Sequence, residues 1–263
     1  MCGIKNLPII DANYMNYINI RKYIPEKLIV AGAAWAVTFF KRMTIHSLLA
    51  IAGMAGPVAL VIADMAAAFS NTEYSLVRDS ISSLALTPLG WFQTIGFLSI
   101  GILVEAFVAG LLFNIKPARR FYLGIGVFVF VGFGMLLIGA FHTDPVGAER
   151  TTEGILHSIA ATGVFWFFPI AVLLLMPSLK WDSYWKSIYT YSLAAGIFGL
   201  ALAIVILFLS DEMSWFGLYE RILVANMVAW VEVAAIKLLI LSVSRKRQAA
   251  QVSEAPTPLP DSE

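Results

Sequence analysis

Six uninterrupted apolar runs of about 20 residues restrict this chain more than any other feature, because that is the length an α-helix needs to cross a hydrocarbon core of about 30 Å. They lie near 46–68, 91–113, 121–141, 156–176, 188–209 and 220–242. A transmembrane barrel is excluded, since its strands read as alternating segments of about 10 residues and these runs are apolar on every face. Composition agrees: 59% of the 263 residues are hydrophobic and 13% charged, with a mean hydropathy of +0.80, well outside soluble averages. The expected fold is therefore all-α, a polytopic transmembrane helical bundle of six spans in the plasma membrane.

Orientation follows from the basic residues, which stay on the cytoplasmic side of a membrane when they flank spans. Lys41 and Arg42 precede the first run, and Lys116, Arg119 and Arg120 follow the second. Lys180 and Lys186 follow the fourth, and Arg245, Lys246 and Arg247 the sixth. The intervening loops carry Glu73, Arg78 and Asp79, then Asp144, Glu149, Arg150 and Glu153, then Asp211 and Glu212, so acids balance or outnumber bases there. Both termini are thus expected in the cytoplasm. Trp91, Trp181, Trp185 and Trp215 stand near span ends, where amphipathic rings favour the headgroup zone, while Trp166 and Trp230 are deeper.

The chain divides into an N-terminal extension over 1–42, a membrane domain over 43–243 and a tail over 244–263. Leu28 to Phe40 is too short to span and closer to a signal-peptide core or a buried segment. With no small-residue cleavage site before Lys41-Arg42, and with Met43 just after it, the extension reads as a misassigned start. The polar tail, with Pro256, Pro258 and Pro260, reads as a disordered cytoplasmic end. Cys2 is the single cysteine, so neither an intramolecular disulfide nor a cysteine zinc site is available.

Function must sit in the bundle or its loops, because the longest connection, 69–90, is only about 22 residues. Paired glycines such as Gly53 and Gly56, Gly96 and Gly101, and Gly132 and Gly134 read first as helix packing positions and second as places for a ligand to approach. In the first outer loop, Leu76, Val77, Ile81 and Leu84 recur at helical spacing. They predict a short interfacial helix offering Arg78, Asp79, Ser82 and Ser83 for hydrogen bonding. The second outer loop supplies His142, Asp144, Glu153 and His157, which are metal-ligand types meeting at one membrane face, although without H-E-x-x-H or paired-cysteine spacing. They are the candidate ligands of a metal, with His142 and His157 also the candidate pair for a haem, and no cofactor is assigned. Glu220 and Arg221 enter the bilayer with the sixth run, where Arg221 has Asp79, Asp144 and Glu220 as candidate partners.

Tyr74-Ser75, Arg78-Asp79-Ser80-Ile81-Ser82-Ser83-Leu84, the Phe141-His142-Thr143-Asp144-Pro145 turn, His157 and Gly217-Leu218-Tyr219-Glu220-Arg221-Ile222 occur in an order and placement that can be compared with known families. Together they resemble the prokaryotic membrane family catalogued as domain of unknown function 998, over about residues 46 to 242. The resemblance implies a six-helix membrane protein with no assigned activity. It marks Arg78, Asp79, Ser82, Asp144, His157 and Arg221 as positions to test.

Ionisable residues deep in a membrane are functional candidates by default. Glu105 lies about 21 Å along its helix from Trp91, and Glu232 about 18 Å along its helix from Glu220, at 1.5 Å per residue, so the two carboxylates could share a depth. Three readings stay open. One is a site at the outer face that binds or acts on lipid headgroups or another anionic ligand. In it Asp79, Asp144 or His157 serves as acid or base, and Arg78 and Arg221 hold the anion. The second is a small proton- or cation-coupled transporter using Glu105 and Glu232, although no inverted repeat is evident. The third is an accessory subunit without its own activity. The expected partners are membrane lipids, with no nucleic acid and no protein partner assigned. The topology is testable in a Cys2→Ser background: Ser83→Cys and Glu149→Cys should react with a membrane-impermeant maleimide in intact cells, and Lys180→Cys and Ser244→Cys only after permeabilisation.

Overall fold

Inside hydrocarbon every peptide N–H and C=O must find its partner within the protein, and a helix does this within one segment. The computed structural model describes residues 43–210 and 212–254 and is helical throughout its long elements. These are α1 (Ile45–Phe69), α2 (Trp91–Asn114), α3 (Phe121–Ala140), α4 (Thr152–Trp181), α5 (Tyr189–Val205) and α6 (Phe216–Glu254). Short 3₁₀ turns cover Ser82–Leu86, Trp185–Ile188 and Ile206–Phe208. Six segments are long and apolar enough to cross a membrane, the fifth and sixth running Trp185–Phe208 and Phe216–Lys246. The chain is a multi-pass membrane protein. The extension 1–42, with Leu28–Phe40 and Lys41-Arg42, lies outside the described residues, as do Asp211 and 255–263.

Consecutive helices pack in order, α1 on α2, α2 on α3, α3 on α4 and α4 on α5, while α6 closes the ring chiefly against α1 and more lightly against α5. At the centre Phe128, Phe168 and Trp230 form an aromatic trio with ring centroids 5.4 to 5.8 Å apart. This ties α3, α4 and α6 together through edge and stacked contacts. Trp230 lies this deep because its indole N–H finds the Ser192 hydroxyl of α5 at 3.0 Å.

Three features depart from the sequence reading. Trp91, Trp181 and Trp215 are exposed at span ends, as amphipathic rings in a headgroup zone are. Trp185 is fully buried instead, with its Nε1 donating to the Asn114 carbonyl at 3.1 Å, so it plugs the bundle. The sixth helix also continues past Ser244 to Glu254. The stretch Arg245 to Gln251 is rich in Ala, Arg, Lys and Gln, strong helix formers that carry a helix on without an apolar face. In the first loop the expected interfacial helix contracts to the 3₁₀ turn over Ser82–Leu86, with turns through Arg78 and Asp79.

Close helix approach is what holds this ring together in lipid, where burial of apolar surface offers little between helices. A Cβ on Gly53 of α1 would come within 2.5 Å of the Phe107 ring of α2 and 2.9 Å of the Ala235 methyl of α6. Gly126 of α3 faces open space instead. Gly53→Leu is therefore expected to cost about 1–3 kcal/mol by overpacking, seen as a lower melting temperature in detergent. Gly126→Ala should leave the melting temperature unchanged or raise it.

Candidate functional site

The connections 70–90 and 141–151 and the described residues 206–210 and 212–215 meet at one end of the bundle, called here the site end. The loop over 74–81 is too short to form its own secondary structure, so its carbonyls need partners from elsewhere. They come from the first turns of α6, whose N-terminal N–H groups have no partner within the helix. Gly217 N donates to Arg78 O at 3.1 Å and Leu218 N to Val77 O at 2.9 Å. Arg221, one turn further on, donates through Nη1 to Leu76 O and Asp79 O, both at 2.9 Å, and to Gly217 O at 3.1 Å. Its Nη2 donates to the Tyr74 hydroxyl at 2.5 Å, and that hydroxyl donates to Ser80 O at 2.7 Å. Glu220 completes the clamp by accepting from Ile81 N at 2.6 Å. Gly217 admits this docking because any Cβ there would collide with the Asp79 carbonyl. Tyr219 points the other way and donates to Leu202 O at the end of α5.

Arg221 has an acidic neighbour, and it is Asp64 of α1, with Nη2 to Oδ1 at 3.7 Å. The candidate partners Asp79 and Asp144 are bonded elsewhere, and Glu220 is bonded to Ile81 N. The pair with Asp64 is loose: Asp64 Oδ1 and Arg221 Nε are buried without a hydrogen-bond partner, as are both amide atoms of Gln93, whose residue is 0% exposed. Asp79 accepts from Arg78 at 2.7 and 2.9 Å and from Ser75 N at 2.8 Å. The Arg78 hydrogen bonds, larger than the opposing effect of partial burial, hold the Asp79 carboxyl below the usual carboxylate range. This makes it a weak base at neutral pH. Burial pushes the Tyr74 phenol up to about 12, against the opposing pull of Arg221.

The second segment builds its own caps. Asp144 accepts from Thr151 N at 2.9 Å and from the Thr151 hydroxyl at 2.7 Å, while Thr151 caps α4 through Gly154 N at 3.0 Å. An acid at a helix N-terminus satisfies orphan donors and complements the helix dipole. Glu153 accepts from both His142 N at 2.7 Å and His142 Nδ1 at 2.8 Å, and His142 Nε2 reaches the Thr94 hydroxyl at 3.3 Å. His157 donates through Nδ1 to Phe141 O at 2.8 Å, so in the neutral ring Nε2 is the accepting nitrogen. The four ligand-type side chains are thus divided among separate tasks. Among the described residues no group of three or more His, Cys, Asp or Glu is placed to hold a metal ion.

What the three segments share is a cavity. An open polar space of about 480 Å³ lies between α4, the end of α5, the start of α6 and the first loop, with Ser82, Arg150, His157 and Glu220 among its walls. Beneath it a small apolar space of about 60 Å³ enters the bundle among α1, α2, α3, α4 and α6. The two share one wall of Ser82, Ala161, Phe165 and Glu220. Of the expected acid–base trio only His157 lines this space. Ser82 and Glu220 line it too, whereas Arg78, Asp79, Asp144, Arg221 and Ser83 serve the loops around it; Ser83 is bonded to Ser80.

The intramembrane carboxylates stand apart from this site. Glu105 of α2 lies against Gly132 of α3, and Glu232 is half-buried on α6. Among the described residues no hydrogen bond or ion pair joins them.

The model of a family described as protein of unknown function (DUF998) matches residues 54–237. The chain belongs to this family. Neither the curated proteins nor the solved structures hold a match to it. In this DUF998 protein the matched stretch contains every residue of the loop clamp and of both cavities just described. Sequence reasoning picked out His157, Ser82 and Glu220 but passed over Arg150 as loop charge. Asp64 carried the one available signal, an acid inside an apolar run close to its end.

Two outcomes follow from the clamp. Gly217→Ala should cost about 1–3 kcal/mol by overpacking against Asp79, read as a lower melting temperature. The Tyr74 phenol ionises near 10 when unfolded and near 12 when folded, so stability should be full below pH 10 and fall as pH rises towards 12. Tyr74→Phe should flatten that alkaline slope in equilibrium unfolding.

Proposed function

We propose that the polar cavity opens on the extracytoplasmic face and binds the headgroup of a membrane lipid or another anionic amphiphile, with the apolar space beneath taking the proximal part of its tail. The observation that carries this reading is the shared wall of Ser82, Ala161, Phe165 and Glu220, which sets a polar space directly against an apolar one at the end of the spans. Ligand sites combine this kind of apolar lining with a few convergent polar groups. Arg150 supplies the cationic group, and an arginine guanidinium matches a phosphate or carboxylate with two parallel hydrogen bonds. Ser82 and the accepting Nε2 of His157 supply neutral partners, and Glu220 accepts from a ligand hydroxyl or amine on the oxygen not bonded to Ile81. The placement outside the cytoplasm rests on the distribution of lysine and arginine between the loops.

The test is binding to the purified full-length chain, followed by its melting temperature. A lysolipid with an anionic headgroup should raise it saturably, and the same headgroup without a tail should raise it less. Arg150→Gln and Ser82→Ala should weaken the lysolipid effect roughly tenfold, as loss of a charged hydrogen bond does, while Lys186→Gln, which lies outside the cavity, should not. Equal responses to tailed and tailless compounds, or no effect of either variant, would sink the reading.

A further inference from the structure

At the other end of the bundle the side chains around Asn114 are ordered by hydrogen-bond direction alone. Asn114 Nδ2 donates to Gly110 O at 2.9 Å, and its Oδ1 accepts from Arg245 Nη1 at 2.9 Å, so neither contact survives an amide flip. The same Nδ2 stands 2.9 Å from His46 Nδ1. That nitrogen must therefore accept, which leaves the imidazole proton on Nε2 as a donor. One buried amide thus fixes both the position of an arginine and the tautomer of a histidine.

These groups surround a cavity of about 260 Å³ lined by Thr44, His46, Asn114, Ser242, Arg245 and Lys246. Thr44 is also the N-cap of α1, whose first turn carries no acid, so the positive end of that helix dipole meets the two cations at the same place. Among the described residues no carboxylate lines the cavity. Asp182, at the same end of the bundle, is spent on Lys116 N, Tyr184 N and Trp185 N at 2.9 to 3.2 Å. Among the described residues Lys246 makes no ion pair. Arg245, by contrast, is held by Asn114, with one of its donors engaged among the described residues. Here an arginine and an imidazole positioned by Asn114 line one space with an ammonium that is exposed, while the Thr44 hydroxyl is spent on Ser242 at 2.7 Å and Ser47 at 3.0 Å.

We infer that this cavity binds a phosphate group, carried by an anionic membrane lipid or free in solution. The donor set is that of a phosphate site: a fixed guanidinium, a mobile ammonium, an imidazole N–H and a helix N-terminus, with no acid among the described residues that line it. Its position at a span end, on the face rich in lysine and arginine, also suits a lipid headgroup. The site is independent of the cavity at the site end and shares no residue with it.

The experiment uses full-length protein in detergent titrated with inorganic phosphate, and in nanodiscs of phosphatidylcholine with and without phosphatidic acid, reading the melting temperature. A saturable rise with inorganic phosphate identifies the free anion as sufficient, and a rise with phosphatidic acid alone identifies the lipid. In either case Lys246→Gln, which breaks no hydrogen bond in the protein, should weaken apparent affinity roughly fivefold. His46→Phe should also weaken it, and Lys186→Gln, a lysine outside both cavities, should leave it unchanged. Equal melting temperatures in all three conditions, or a rise that persists undiminished in Lys246→Gln and His46→Phe, would overturn the inference.

Discussion

The arrangement of the site end depends on Arg221. A loop that folds back onto a membrane bundle brings carbonyl groups into a place with little water, and each unsatisfied one is costly. Arg221 takes the carbonyls of Leu76 and Asp79, and the first N–H groups of α6 take those of Val77 and Arg78. Tyr74, itself held by Arg221, takes Ser80. A half-buried guanidinium here acts as a multiple donor first and as a charge second, which is why its acidic neighbour Asp64 stands off at 3.7 Å. Since the loop is sewn down in this way, Ser80 and Ser82 fall on the cavity wall beside Glu220 and opposite His157 and Arg150.

That geometry gives the two ends of the protein contrasting chemistry. The site end mixes one arginine with hydroxyls, an imidazole and a carboxylate around a space that abuts an apolar one. The opposite end gathers two cations and a helix N-terminus around a space lined by no acid among the described residues. Both proposals rest on the same principle: in lipid, a polar side chain not consumed by the chain's own backbone is unusual enough to ask what it binds. By that measure Ser82, Arg150 and Lys246 are informative, whereas Arg78, Asp79, Asp144 and Arg221 are already engaged within the protein.

Much of this was legible in the residues. The six runs coincide with the six membrane-capable helices because span length and all-round hydrophobicity are properties of a segment, independent of its neighbours. Of the residues in the three polar segments, His157, Ser82 and Glu220 line one cavity. Individual roles were harder to read. Asp144 looks like a metal ligand or a base until Thr151 is seen beside it, and His142 until Glu153 takes its N–H groups. Trp185 looks interfacial until Asn114, some seventy residues away in sequence, accepts its indole proton.

The sequence by itself determined the number of spans, their approximate limits and the places where charge is tolerated, because the free-energy cost of putting a segment or a charge into hydrocarbon is set locally. Tertiary structure decided which polar groups remain available. A hydrogen bond is directional and exclusive, and its partner is chosen between segments such as α6 and the 74–81 loop, or α2 and α6 at Asn114, that only packing brings together.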